Sequence, residues 1–197
     1  MDKNDKTPDS SVEEAYPAYE KKYTYSDYIQ WDDDVRCELI DGIPYLMAGP
    51  NRHHQKVSRN LLVQLANFLK GKSCEVYHAP LDVRLNPGTL DDTVVQPDLV
   101  IICDHSVLDD ACCKGVPDMV VEILSPSTAG YDLTTKFSRY LKAGIREYWI
   151  VSPTEKTLAA HILKDSNYIT HMYTKKDKAP VHVLEGCVID LSDVFED

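Results

Sequence analysis

Between Asn51 and Gly71 the apolar residues Val57, Leu61, Leu62, Leu65, Phe68 and Leu69 fall at spacings of 4, 1, 3, 3 and 1, which draws one helical stripe. Such a stripe must be buried against an apolar surface, and the DMVVEIL and EYWIV runs supply one. Asn51 is placed to cap this helix and Gly71 to end it. Thr24 can cap a short helix through about Trp31, after which CELI and IPYLM read as strands joined at Asp41-Gly42. Further strands are predicted at about 75–85, 94–103 and 118–124, the last two joined by a solvent-facing loop at 104–116. Leu133, Phe137 and Leu141, with Tyr140 and Ala143 beside them, predict a second helix that ends at Gly144. EYWIV, LAAHIL, YITHMYT and VHVLEGCVIDL then read as a C-terminal run of strands. This order predicts an α/β (α+β) domain: a central mixed β-sheet flanked by both helices, with the C-terminal strands extending it or forming a small sheet beside it.

Composition bounds the function. The chain of 197 residues carries 32 Asp and Glu against 21 Lys and Arg, a net charge of -11. That is the opposite of the footprint of a protein that holds DNA by neutralising phosphates, so any such contact must be local. Residues 1–20 are polar and acidic and are expected to form a disordered or loosely docked tail; residues 21–197 read as one domain. No stretch is apolar for the ~18 residues a spanning helix needs, and the N-terminus has no secretory core, so a soluble cytoplasmic protein without a membrane partner is expected. The six cysteines form no C-x-x-C pair and are expected as thiols, not zinc ligands.

The residues that point to chemistry are acids set in apolar strands, Asp98 in QPDLVII and Glu122 in DMVVEIL. Side chains alternate along a strand, so Asp98 shares a face with Val100 and Ile102, and Glu122 with Val120 and Leu124. An unpaired carboxylate there costs several kcal/mol or gives up its charge. Two neighbouring strands would bring the acids together, and a divalent cation is the usual way to keep both ionised. Oxygen ligands without Cys or His suit Mg²⁺ or Mn²⁺. Asp82, in APLDVRL, is either a further ligand or the partner of Arg84. His53 and His54, at the head of the long helix, are within plausible reach of a phosphate or water, although adjacent histidines are more often ordinary surface residues.

QPD at 96–98, EIL at 122–124 followed by SPST, then Asp132, Lys136, Tyr140 and GIREYWIVSP at 144–153 together resemble a bacterial restriction-endonuclease family, a branch of the PD-(D/E)XK nuclease superfamily. ELIDG at 38–42 and the helix near His53 belong to the same resemblance. It implies a restriction-endonuclease-like core and Mg²⁺-dependent hydrolysis of DNA, with Asp98 and Glu122 as metal ligands. The superfamily's lysine, two residues after the Glu, is here Leu124, and Lys136 on the following helix is its expected replacement. Glu38 resembles the additional acid that many members bring to the metal. Two other readings stand beside this one: a catalytically silent homodimeric binding or scaffold protein of the same fold, and a Mg²⁺-dependent hydrolase of small phosphate compounds.

Overall fold

A computed structural model describes residues 21–31, 36–125 and 132–196. The expected tail at 1–20 and the SPST loop beyond Ser125 lie outside them. Thr24 caps a single turn, α1 (Tyr25–Tyr28), and β1 (Cys37–Ile40) and β2 (Ile43–Leu46) form the expected hairpin around Asp41 and Gly42, both at positive φ. The long helix α2 spans Arg52–Leu69, and the Asn51 side chain accepts from the His54 N–H as its cap.

The two long strands predicted next are each broken in two. β3 (Glu75–His78) and β4 (Asp82–Arg84) are separated by the cis Ala79-Pro80 bond. β5 (Val94–Val95) and β6 (Leu99–Ile102) are separated by Gln96-Pro97-Asp98. In each case the halves join different sheets, because proline cannot donate to a ladder and ends the pairing. The predicted solvent loop at 104–116 contains a 3₁₀ turn (His105–Val107) and β7 (Cys112–Lys114), which runs parallel to β4. β8 (Met119–Ile123) pairs antiparallel with β6, as the two-acid site required.

A π-helical turn at Asp132–Lys136 leads into α3 (Phe137–Ala143), which ends at Gly144 in the left-handed region. β9 (Glu147–Ser152) returns parallel to β8, and β10 (Thr157–Lys164) and β11 (Asn167–Thr174) extend that sheet as a hairpin. The run VHVLEGCVIDL is not one strand. β12 (Lys178–Pro180) and β13 (Val188–Asp190) form a separate two-stranded sheet before the short α4 (Leu191–Val194).

The larger sheet has the order β11-β10-β9-β8-β6-β3 and the other main sheet β2-β1-β5-β4-β7. Alternation along the central strands divides the core in two. Leu99, Ile101, Met119, Val121, Trp149 and Val151 meet the α2 stripe of Val57, Leu61, Leu65 and Leu69 and the C-terminal segment. Val100, Ile102, Val120, Tyr148 and Ile150 face the other sheet, through Ile40, Val83 and Val95, and Tyr140 of α3. Two cysteines depart from the thiol expectation: Cys74 and Cys103, one step beyond the Glu75–Ile102 pair of the β3–β6 ladder, form a disulfide. Cys37, Cys112, Cys113 and Cys187 are buried thiols.

Candidate active site

The β6–β8 register pairs Leu99 with Val121 and Val100 with Val120. Asp98 immediately precedes β6, and its carboxylate bonds to the backbone of Ile123, the residue after Glu122 in β8. Both acids therefore lie at the seam between the two sheets. Glu38 reaches the seam from β1 of the other sheet, and Lys136 from the turn preceding α3.

Lys136 Nζ lies 2.8 Å from Glu38 Oε1 and 2.9 Å from Glu122 Oε1. All three side chains are at most 5% exposed, so one ammonium is shared between two carboxylates that water hardly reaches. Tyr140, one helical turn on from Lys136, donates its hydroxyl to Glu122 Oε1 at 2.6 Å. Burial, and next the Glu122 charge, push the Tyr140 phenol well above its usual range, which keeps it a donor. Glu38 Oε1 also accepts the Gln96 N–H at 2.8 Å, and this bond ties β1 to the segment carrying Asp98.

Asp98 is differently held. Its Oδ2 accepts the Ile123 N–H at 2.7 Å and faces His54 Nε2 at 3.1 Å. The other ring nitrogen, His54 Nδ1, is buried with no hydrogen-bond partner among the described residues. The Asp98 side chain is 18% exposed, the most open of the three acids. Asp98, Glu122, Glu38, Lys136, His54 and Gln96 line one cleft of about 770 Å³, together with Arg36, the segment 45–50 and Ala79-Pro80.

Of the residues singled out in the sequence, five are thus gathered here: Asp98, Glu122, Lys136, Glu38 and His54. Asp82 is not among the cleft-lining residues. Its Oδ1 accepts from the Tyr28 hydroxyl at 3.1 Å and from Gln96 Nε2 at 2.9 Å, so it steadies the residue beside the site. Nor does it pair with Arg84, whose guanidinium is held by Asp91. His53 is exposed and lines a separate, smaller pocket with Arg52, Lys56 and Glu196. Sequence reasoning gave Gln96 no role; QPD was its only signal. The Tyr140 bond to Glu122 was also missed, although the i, i+4 relation to Lys136 marked the right helix face.

Among the described residues no three His, Cys, Asp or Glu side chains form a ready cage for a metal. The donor set nonetheless suits Mg²⁺, which is commonly held by one or two carboxylates, its remaining positions filled by water and substrate phosphate. Asp98 Oδ1 takes no hydrogen bond from the described residues and lies in the wall of the open cleft.

The layered sheets, the β8–α3–β9 crossover and the acids at the seam define a restriction-endonuclease-like fold. Residues 25–192 match the family model Uma2, described as "Putative restriction endonuclease", and the chain belongs to that family. It is 30% identical over 161 residues, 80% of this chain and 83% of the relative, to the uncharacterized protein slr1290 of Synechocystis sp. (strain ATCC 27184 / PCC 6803 / Kazusa). A second protein of that organism, sll1609, is 27% identical over 124 residues, 61% of this chain and 68% of its own. The crystal structure of a putative nuclease belonging to DUF820 from Anabaena variabilis ATCC 29413 superposes with a TM-score of 0.71 at 17% identity, covering 88% of this chain and 97% of that one. At that identity the likeness is one of fold. No helix among the described residues is long and apolar enough to cross a membrane.

Proposed function

We propose that this protein is a Mg²⁺-dependent or Mn²⁺-dependent endonuclease that hydrolyses phosphodiester bonds of DNA. The observation that carries this reading is the buried Lys136 ammonium between Glu38 and Glu122, at the floor of a cleft whose wall presents Asp98. Asp98 and Glu122 would hold the metal. When bound, it supplies Lewis acidity toward a phosphoryl oxygen and lowers the pKa of water. Lys136 acts as a fixed cation that orients the attacking water or stabilises developing charge. Glu38 holds Lys136 in place, and Tyr140 holds Glu122. His54 is a positioning residue: with the Ile123 N–H it fixes Asp98 Oδ2 and turns Oδ1 outward.

The test is cleavage of supercoiled plasmid with Mg²⁺ or Mn²⁺, comparing wild type with Glu122→Gln and Asp98→Asn. Both variants are expected to lose cleavage by roughly two orders of magnitude or more. Equal cutting by wild type and both variants would overturn the reading. No cutting by wild type, with folding intact, favours the silent scaffold of the same fold, in which Lys136 serves only as the shared cation of the two buried acids. Release of phosphate from small esters without cutting of plasmid favours the small-substrate hydrolase.

A further inference from the structure

For a chain of net charge -11, the outer face of α2 is unusual. Arg52, Lys56 and Arg59 follow at spacings of 4 and 3, which sets them in one row along the helix. From Arg52 to Arg59 the row runs seven residue steps, about 10 Å of rise, more than a single phosphate group covers. It is also joined to the cleft. The wall at His54 and Asp98 is shared with a groove of about 300 Å³ that passes Gln55 and Ser58 to Arg59. That groove adjoins a shallow depression bordered by all three cations and by Glu196.

Glu196, just after α4, lies on this row. Its Oε1 is 3.6 Å from Lys56 Nζ, 3.5 Å from Arg59 Nη2 and 3.4 Å from Asn60 Nδ2. The carboxylate is 53% exposed and Arg59 63% exposed, so these are long, solvated contacts of little net strength. A phosphodiester oxygen offers the same acceptor chemistry and the same charge. Resting on the nuclease reading above, we propose that Arg52, Lys56 and Arg59 form the track for the phosphodiester backbone of a nucleic-acid strand entering the cleft, and that Glu196 is an intramolecular competitor which the strand displaces. Binding through this local row reconciles a polyanionic substrate with an acidic protein.

The experiment is fluorescence anisotropy of a labelled single-stranded oligonucleotide with the full chain in EDTA, where cleavage cannot interfere, across about 50–200 mM salt. Lys56→Ala/Arg59→Ala should weaken binding and lower the slope of log K against log salt by about 1.4, the amount expected when two single-strand phosphate contacts are lost. Glu196→Gln should tighten binding about two- to fivefold. Lys164→Ala, at the end of β10, removes one positive charge elsewhere and should leave the slope unchanged.

A double variant with the wild-type slope overturns the track, as does an equal loss in Lys164→Ala, which would mean bulk charge alone. A mononucleotide bound as tightly as the strand overturns it too. Unchanged or weaker binding by Glu196→Gln overturns the competitor role. DNA and RNA strands of one sequence, run side by side, identify which backbone the track prefers. Failure of the hydrolytic reading appears in plasmid cleavage by Glu122→Gln and Asp98→Asn, and failure of the track appears in the salt slope of Lys56→Ala/Arg59→Ala, so the two are told apart by separate measurements.

Discussion

Lys136 joins two acids that share almost no water, and its removal leaves both without their cation. Lys136→Met should therefore destabilise the fold by about 3–5 kcal/mol as well as stop cleavage. Urea unfolding measures the loss, and added Mg²⁺ should restore part of it if the carboxylates hold the ion. His54 calls for a finer comparison. His54→Gln keeps an N–H donor toward Asp98 and should retain most of the Mg²⁺ affinity read by titration calorimetry. His54→Leu, which has no donor, should lose about 10- to 100-fold, the usual cost of removing a partner that orients a metal ligand. At this scale an acid interrupting an apolar strand leads to Asp98 and Glu122, which both line the cleft, whereas the same alternation at Asp82 leads to a carboxylate that accepts from Tyr28 and Gln96 outside the cleft lining.

The helices were the elements most legible in the sequence, because a 3.6-residue period over 18 residues of α2 has no strand equivalent. Leu61 and Leu65 are fully buried in the stripe, and Leu65→Ala should cost about 2–5 kcal/mol in a denaturant titration. Strand boundaries were read too long at 75–85 and 94–103, since the apolar pattern continues across Pro80 and Pro97 while the pairing partner changes. β7 was hidden because its apolar signal is only the Cys112-Cys113 pair. The Cys74–Cys103 disulfide likewise became legible only from the β3–β6 register, which places the two residues next to each other. A peptide map under non-reducing conditions should show this one link, with Cys37, Cys112, Cys113 and Cys187 free.

At the scale of the whole molecule, one buried acid away from the cleft makes stability depend on pH. Glu147 accepts from Trp149 Nε1 at 2.7 Å and from the Val183 N–H at 2.8 Å, and so fastens β9 to the C-terminal segment. Burial outweighs these bonds and raises its pKa to about 7, from 4.5. The unfolded chain then releases its proton before the folded one does. Stability from this group is fully present below about pH 4.5 and is lost as pH rises through 7, by about 3 kcal/mol in all. Thermal unfolding of Glu147→Gln should show a flatter profile over that window than wild type. The two passages of the chain between the main sheets, at 79–81 and 96–98, both border the cleft and set how far Glu38 stands from Asp98 and Glu122. They act as spacers of fixed length. Random insertion of single residues should consequently spare function in the turns at 87–90 and 165–166, and eliminate it in these two passages even where the lengthened chain still folds.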